Sequence, residues 1–394
     1  MNNRLRCFCQ LDDLSGSAGF LCATRQRIHQ HPELSFQEAD TAALVANQLS
    51  AWGWDVTGGV GGHGVVGTLR AGSSNRSVAL RADMDALPIQ EATGKPYASQ
   101  HAGVMHACGH DGHTTMLLGA AQQLAKTRNF SGTVHLVFQP AEEAGKGSGA
   151  QRMIEDGLFE RFPCDAIFGL HNTPGVPAGT FGFGSGAFMA ASDTAHITVH
   201  GRGGHAARPH QTVDPVLIVG SLVMALQSVV ARNIDPRQTA IVTIGALHAG
   251  SAANVIPDSA TMALSIRSFD PEVRGQLEQR IRALVTSHVQ GYGGEVDIDY
   301  ERGYPVVVNT EAETRFAAQV AEELVGAERV IAPFPPVTGS EDFAYYLQKK
   351  PGCFLRLGNG DGAMLHNPKY DFNDDILTVG AAYWTRLAER FLSD

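Results

Sequence analysis

Short β-type runs alternate with helix-type segments along the first part of this chain, and this alternation limits the possible folds more than any other feature. The apolar runs "HGVVGTLR", "SVALRADMDAL" and "GTVHLVFQPAEE" read as strands. Helices are predicted from about Thr24 to His29, after a capping box of Ser35 and Glu38, and from about Thr114. Strands that alternate with such helices predict an α/β domain with a mixed, largely parallel sheet, and a ligand crevice where the strands end.

A different order of segments begins near residue 190 and continues to about residue 304. Strand, helix, strand, strand, helix and strand follow one another in "TAHITVHG", "DPVLIVGSLVMALQSVVA", "QTAIVTIGALHA", "SATMALSIRS", "PEVRGQLEQRIRALVTSHV" and "EVDIDYERG". This βαββαβ order predicts a ferredoxin-like sandwich inserted into the first domain. The predicted division is a poorly patterned leader (1–21), a catalytic domain in two parts (22–189 and 305–394), and the insertion (190–304).

Composition excludes several classes of protein. The chain has 394 residues and a formal net charge of -10, with no run of lysine or arginine that could follow a phosphate backbone, so a nucleic-acid partner is not expected. No apolar stretch is expected to reach the ~20 residues of a membrane span, and the N-terminus lacks a secretory pattern. We therefore predict a cytoplasmic protein with six reduced cysteines, of which Cys7 and Cys9 have no expected role.

The stretch "MHACGHDGH" concentrates possible metal ligands before a smooth apolar run. A thiolate at Cys108 and an imidazole at His110, in a glycine-containing turn, can reach one point and suit zinc and its neighbours. His106 and His113 would support them or pack in the helix. Two alternatives stay open: a tight turn with capping histidines, and Cys108 as a catalytic nucleophile.

Two pairs of carboxylates follow predicted strands. In "RADMDALPIQE", Asp83 and Asp85 are two residues apart, so both face one side of the strand, and a cation would relieve their repulsion; a turn capped by one aspartate is the alternative. In "VFQPAEEAG", the adjacent side chains of Glu142 and Glu143 diverge, so one could bind a metal while the other acts as a general base. A solvated pair is the alternative for the glutamates.

Three further histidines stand in suggestive places. His171 ends the apolar run "AIFGLHN", and His366 lies in "GAMLHNPKYDFND". His205, in "GRGGHAARPH", falls within the insertion and is therefore a candidate for contacting substrate or the transition state. A structural role for each remains open, because single histidines are often structural.

Taken in order, these segments resemble the co-catalytic metallohydrolase family of aminoacylases and carboxypeptidases. The resemblance extends from about Arg25 to the C-terminus and is closest to the amidohydrolase branch that contains hippurate hydrolases and indole-acetyl amino acid hydrolases. It is carried by "RQRIHQHPELSFQE", "RADMDALPIQE", "MHACGHDGHTTMLLGAA", "VFQPAEE", "GLHN", "GRGGHAARPH", "ANVIPDSATM", "TGSEDFAYYL" and "LHNPKYDFND".

The resemblance implies a site for two divalent ions, among zinc, manganese, cobalt and nickel. It implies Glu142 as general base and acid, Asp85 as the residue that orients the ligands, and Asn254 as a substrate contact. It also implies that the insertion is a lid and dimerisation domain, that the protein is a homodimer or a tetramer, and that His205 stabilises the oxyanion in a partner's active site. The implied metal ligands are Cys108, His110, Glu143, His171 and His366.

The expected reaction is metal-dependent hydrolysis of the amide bond of N-acyl-L-amino acids, such as hippurate, to a carboxylic acid and an amino acid. Alternatives within the same chemistry are deacetylation of N-acetyl amino acids, such as N-acetyl-diaminopimelate, and hydrolysis of indole-acetyl conjugates. A protein that binds metal without catalysis, and a cysteine hydrolase, are the alternatives from other classes.

Overall fold

The computed structural model describes residues 8–393, and these form two compact units. The first unit contains the residues up to Gly186, Val308–Pro335, and the residues from Asp342 onward. The second contains Ala187–Val307 and Pro336–Glu341. The short segment 336–341 therefore joins the second unit, although the sequence prediction had placed it in the C-terminal part of the first.

The first unit begins with a 3-10 turn at Leu11–Ser17 and then alternates helices with strands. Its elements up to residue 186 are α1 (Ala18–Gln30), α2 (Ala39–Ala51), β1 (Asp55–Val60), β2 (Gly64–Ala71), β3 (Ser77–Asp83), α3 (His110–Thr127), β4 (Gly132–Gln139), α4 (Gly149–Glu155), α5 (Leu158–Arg161), β5 (Ala166–Pro174) and β6 (Phe181–Gly182).

The second unit is richer in antiparallel strands. Its region of the chain contains β7 (Gly186–Met189), β8 (Ala191–His200), β9 (Gly204–His205), α6 (Pro215–Asn233), β10 (Ala240–Ala249), β11 (Val255–Ile256), β12 (Ser259–Ser268), α7 (Pro271–Gly291) and β13 (Glu295–Arg302). The chain then continues with β14 (Val307–Asn309), α8 (Glu311–Val325), β15 (Val330–Ile331), α9 (Phe343–Leu347), β16 (Gly352–Gly360) and α10 (Leu377–Phe391).

The sheet of the first unit has eight strands in the order β1-β2-β4-β3-β5-β16-β6-β15. Its centre, β4-β3-β5-β16, is parallel, whereas β1, β2 and the β16–β6 pair are antiparallel. The prediction of a mixed, largely parallel sheet is confirmed. Because the central strands run in one direction, their carboxyl ends meet at one edge, where Asp83 ends β3 and Gln139 ends β4.

Burial explains why the central strands read as continuous apolar runs. Every residue of β3 is buried, as expected for a parallel strand covered on both faces. Helix α3 is buried along most of its length and packs against α10 and α1. At one α3–α10 contact, a Cβ on Gly380 would lie 2.0 Å from Sδ of Met116, so only glycine permits this approach.

The second unit is a ferredoxin-like sandwich, as predicted. Its four strands pair antiparallel in the order β10-β12-β8-β13, and residues of β8 and β12 alternate between buried and more exposed positions. Both helices begin with an aspartate followed by proline, and the carboxylates of Asp214 and Asp270 accept backbone N–H bonds in the first turn. The helices bury an apolar stripe against one face of the sheet.

Three local predictions are wrong. Ser35 and Glu38 form no capping box: α2 begins at Ala39, and neither side chain caps it. Helix α3 begins at His110 and not near Thr114. The leader was predicted to be poorly patterned, but within residues 8–21 it forms helical turns and the side chain of Leu14 is buried.

The expectation that Cys9 has no role stays a prediction for its thiol, whereas its backbone contributes to the fold. Cys9 is buried, and its backbone N–H donates to Glu389 Oε2 at 2.7 Å, which joins the N-terminal segment to α10. The corresponding expectation for Cys7 lies outside the described residues.

One helix of the described chain, α6, is long and apolar enough by length and composition to cross a membrane. The expectation that no apolar stretch approaches this length is therefore wrong. The buried side chains of Ile218, Leu222 and Leu226 belong to the core of the sandwich, and a core helix of a soluble protein passes the same test.

Candidate metal centre

A tight turn brings Cys108 and His110 to the carboxyl edge of the sheet. Gly109, between them, has a φ of 95°, a left-handed conformation that glycine adopts without strain. A Cβ at this position would lie 2.5 Å from Asn172 Oδ1 and 2.6 Å from the Tyr370 hydroxyl. The turn therefore requires glycine both for its conformation and for its close contact with the neighbouring residues.

Two histidines present the same ring nitrogen to the thiol of Cys108. Nδ1 of His110 lies 2.9 Å from the carbonyl oxygen of Asp85, and Nδ1 of His171 lies 2.7 Å from the carbonyl oxygen of Asn172. A carbonyl can only accept, so each Nδ1 carries the proton in a neutral ring and each Nε2 keeps its lone pair. The Nε2 of His171 is 3.3 Å from Cys108 Sγ, and possible ligand atoms of all three side chains lie within 4.8 Å of one another.

A second group shares the same thiol. Cys108, Glu143 and His366 also place possible ligand atoms within 4.8 Å of one another, and His366 Nε2 is 3.2 Å from Glu143 Oε1. The backbone N–H of His366 donates to the carbonyl of Ala107, which joins the loop to the cysteine turn. Because Cys108 belongs to both groups, its thiolate could act as a metal ligand together with the residues of either group.

The adjacent glutamates lie at the end of β4, in a short 3-10 turn. Glu142 is buried, Glu143 is half-buried, and both can bring a carboxylate oxygen within 4.8 Å of a ring nitrogen of His110. The carboxylate of Asp85 accepts the backbone N–H of Glu142 at 3.0 Å and that of Glu143 at 2.9 Å. Asp85 thus fixes the backbone from which the two glutamates diverge.

The charges of the site follow from burial and from its neighbours. Burial, together with Glu143, raises the pKa of the Cys108 thiol. Burial, together with nearby His113 and Arg356, lowers the pKa of His171 and keeps this ring neutral. Hydrogen bonds to Cys108 and Glu143 raise the pKa of His366 to about 10.

A buried network behind the site was not predicted as a whole. Asp83 accepts hydrogen bonds from Arg81 at 2.6 Å and from His113 at 2.7 Å. Nε2 of His113 accepts the backbone N–H of Asn172 at 3.0 Å. The side-chain amide of Asn172 donates to the hydroxyl of Tyr370. The network connects β3 to β5 beside His171. In the sequence it was indicated only by Asp83 and His113, which stand in the motifs described above.

The expectation that a cation relieves the repulsion between Asp83 and Asp85 stays a prediction, and both carboxylates also have partners within the protein. Burial opposes ionisation of Asp83, but His110 and Arg81 hold its pKa well below the ordinary value. Burial likewise opposes ionisation of Asp85, and the bond with His110 lowers its pKa. Each carboxylate thus has protein partners, Arg81 and His113 for Asp83 and the backbone amides of Glu142 and Glu143 for Asp85. His106 is buried, and its ring nitrogens have no partner among the described residues.

His205 and Asn254 lie together in the second unit. Strands β9 and β11 pair His205 with Val255, and the backbone N–H of Ala206 donates to the carbonyl of Asn254 at 3.1 Å. Both residues are exposed. Nδ1 of His205 accepts the backbone N–H of Ala207 at 3.1 Å, so in the neutral ring Nε2 carries the proton and can donate it to a hydrogen bond.

The donor set fits divalent cations. The Nε2 of His110 is buried and has no hydrogen-bond partner within residues 8–393, which is costly unless a Lewis acid completes it. A thiol, imidazoles and carboxylates together suit zinc and neighbouring transition metals, and do not distinguish among them. These side chains could therefore hold divalent cations.

Comparison with known proteins agrees with this geometry. The model of peptidase family M20/M25/M40 matches residues 79–390. The chain belongs to this family. It is 46% identical over 368 residues to the hippurate hydrolase of Campylobacter jejuni, an alignment that covers 93% of this chain and 95% of that relative. Membership in a peptidase family makes the chain a hydrolase of amide bonds.

Two further relatives extend the comparison. The N-acetyl-L-cysteine deacetylase of Bacillus subtilis is 40% identical and aligns with 94% of this chain and 88% of its own. The crystal structure of the Bacillus subtilis YXEP protein, a dinuclear metal binding peptidase, superposes with a TM-score of 0.82 at 33% identity, covering 96% of this chain and 99% of that one. The fold and the use of divalent metal are thus shared with solved members of the family.

Proposed function

We propose that the chain hydrolyses the amide bond of N-acyl-L-amino acids of the hippurate type, releasing a carboxylic acid and a free amino acid. One observation carries the proposal: Glu142 lies beside the ligand groups that meet at Cys108 and His110, while its neighbour Glu143 belongs to one of those groups. A protein that only binds metal needs no second carboxylate beside its ligands. The 46% identity to a hippurate hydrolase supports the choice of substrate.

The proposed metal ligands are three imidazoles and a carboxylate around one shared thiolate. Bound divalent cations, zinc, manganese, cobalt or nickel, would polarise the amide carbonyl and lower the pKa of the attacking water. The sharing of Cys108 between two ligand groups supports a site for two ions. The proposed ligands are Cys108, His110, Glu143, His171 and His366.

Glu142 is the proposed general base and acid. Its carboxylate would accept the proton of the attacking water and then deliver it to the leaving amine nitrogen. Asp85 supports this step. Its hydrogen bonds to the backbone of both residues fix the position of the base, Glu142, relative to the ligand, Glu143.

The second unit contributes the proposed lid and dimerisation domain, residues 190–304. His205 of a partner subunit would donate to the oxyanion, and Asn254 would contact the carboxylate of the substrate. Two observations support this assignment. His205 and Asn254 lie on adjacent exposed segments, and in the neutral tautomer of His205 the proton on Nε2 can be donated to a hydrogen bond. A donor of this kind contributes about 100- to 1,000-fold to the rate.

The proposed homodimer would form through the same unit. Leu217 and Met224, on α6, are 58% and 74% exposed, and β10 is an edge strand of its four-stranded sheet. Apolar side chains beside an open strand edge are a suitable surface for a second copy. We also propose a cytoplasmic location, supported by the five described cysteines, none of which is paired in a disulfide.

The test is release of free amino acid from a panel of benzoyl-, acetyl- and indole-acetyl amino acids, detected with ninhydrin. We expect release that a chelator abolishes and added manganese or zinc restores, with benzoyl substrates favoured. Preference for acetyl or indole-acetyl substrates would favour the alternatives of deacetylation or of hydrolysis of indole-acetyl conjugates. Activity that survives chelation but is lost on thiol alkylation would indicate a cysteine hydrolase instead.

Two matched substitutions separate the roles of the adjacent glutamates. Glu142→Gln should lower turnover by 100-fold or more and leave the metal content unchanged. Glu143→Gln should lower the metal content measured by mass spectrometry. If Glu142→Gln also loses metal, the proposed division of roles is wrong.

A further inference from the structure

Ser35 and Glu38 lie in the segment before α2 and point away from the helix that they were predicted to cap. Ser35 Oγ donates to Asp85 Oδ2 at 2.7 Å. The carboxylate oxygen Oε1 of Glu38 accepts the backbone N–H of Ala141 at 2.8 Å and that of Phe36 at 2.9 Å. Both side chains therefore reach the loop that carries the two adjacent glutamates, directly or through Asp85.

Three consecutive backbone amides of that loop are bound by two buried carboxylates. The N–H of Ala141 donates to Glu38, and those of Glu142 and Glu143 donate to the two oxygens of Asp85. Glu38 and Asp85 are 0% and 1% exposed, so water does not compete for these bonds. The loop is held over three successive residues by side chains from two distant parts of the chain.

The conformation of Ala141 shows why the loop needs such support. Its φ of 51° and ψ of 47° lie in the left-handed region, which a residue with a Cβ adopts at a cost. Unusual backbone conformations persist where the surroundings compensate for them. The bond from the Ala141 N–H to Glu38 is one compensation, and the bond from Gly149 N–H to the carbonyl of Ala141 is the other.

We propose that Glu38, assisted by Ser35, is a positioning residue for the hydrolytic site: it holds the Ala141 amide, and with Asp85 it sets the directions of Glu142 and Glu143. The inference rests on the proposed function of those two glutamates. Glu38 touches neither substrate nor metal in this arrangement and acts through the backbone of the loop. Because Oε1 of Glu38 only accepts hydrogen bonds, a glutamine at this position can retain them.

The segment offers a matched control in Glu33. Its carboxylate accepts the backbone N–H groups of Asp40 at 3.0 Å and Thr41 at 2.8 Å, so it caps the start of α2 and has no bond to the loop of residues 141–143 among its described contacts. Glu33→Ala and Glu38→Ala each remove one side chain that binds two backbone amides. They differ in whether one of those amides belongs to the catalytic loop.

The experiment measures two quantities for wild type and for the Glu38→Ala, Glu38→Gln, Glu33→Ala and Ser35→Ala variants. The first is the dissociation constant for manganese or zinc from chelator competition, and the second is kcat and KM at saturating metal. Glu38→Ala should weaken metal binding or lower kcat about 10- to 100-fold, with KM changed less than about threefold, as losses of groups that orient ligands do. Glu38→Gln and Glu33→Ala should stay within about threefold of wild type in both quantities, even if Glu33→Ala lowers the melting temperature.

Several outcomes would overturn the proposal. Equal losses in Glu33→Ala and Glu38→Ala would show a general stability effect, and a loss in Glu38→Gln as large as in Glu38→Ala would show that the charge matters and not the accepted bonds. If Glu38→Ala does not fold, Ser35→Ala must still lower kcat or metal affinity at least threefold. If wild type cleaves none of the amide substrates, the proposed function fails, while the metal affinities still test the positioning role of Glu38.

Discussion

The pairing of His29 with two carboxylates predicts a specific dependence of stability on pH. Nδ1 of His29 lies 2.8 Å from Asp111, and Nε2 lies 3.4 Å from Glu91. Burial alone would lower the pKa of His29, but the hydrogen bonds with Asp111 and Glu91 raise it from 6.5 to about 9. The doubly protonated ring is therefore the form that the fold favours.

The magnitude follows from this pKa. A rise from 6.5 to about 9 corresponds to about 3 kcal/mol of free energy of unfolding, at 1.36 kcal/mol per pKa unit. Because the folded-state pKa lies above the unfolded one, this stabilisation is complete below pH 6.5 and is lost as the pH rises through about 9. Substitution by a neutral residue should remove it.

Urea unfolding of wild type and His29→Gln, both in chelator so that bound metal does not contribute, tests this reasoning. The difference between their unfolding free energies should shrink by about 3 kcal/mol between pH 6 and pH 9.5. His135 is a control of opposite sign, because burial lowers its pKa to about 4. Its contribution to the free energy of unfolding should therefore grow by about 1 kcal/mol as the pH rises over the same range. If wild type and His29→Gln differ by the same amount at both pH values, the charged pairing of His29 is refuted.

Three further predictions address the metal, the second unit and the core. Chelation should lower the melting temperature, because a cation present at 1,000 times its dissociation constant stabilises the fold by about 4 kcal/mol, and differential scanning fluorimetry with metal added back measures the effect. His205→Ala should lower kcat about 100- to 1,000-fold with unchanged metal content, and unaltered kinetics would exclude the oxyanion role. Gly112→Ala should destabilise the protein by about 1 to 3 kcal/mol in urea unfolding, since its Cβ would lie 2.2 Å from the ring of Phe372, whereas Gly19→Ala, with open space around it, should be neutral or stabilising by up to about 1 kcal/mol.

The sequence indicates the residues of the candidate metal centre because each stands in a short motif. Cys108 and His110 are two positions apart in one turn, and His171 follows the strongly apolar first half of β5. Parallel strands bring their carboxyl ends to one edge, so an α/β prediction already brings these motifs together. The same reasoning could not predict which atoms each residue offers, since the tautomers of His110 and His171 depend on carbonyl groups of Asp85 and Asn172.

The failed capping box shows where local patterns stop being informative. Ser35 and Glu38 have the spacing of a box, and that spacing is compatible with either local or distant partners. In the structure they bind Asp85 and the amide of Ala141, and the latter is 103 residues away from Glu38. A pattern over four residues carries no information about a partner at that distance.

The order of residues alone predicts the alternation of strands and helices, the βαββαβ insertion and the motifs that carry the candidate ligands. These depend on short-range spacing, which the order of residues contains directly. The partners of each motif residue depend on the tertiary structure: Asp83 binds Arg81 and His113, and Glu38 and Asp85 bind the backbone amides of residues 141–143. The reason is that a buried polar group must find a partner, and which partner is within 3 Å is known only once distant segments have packed together.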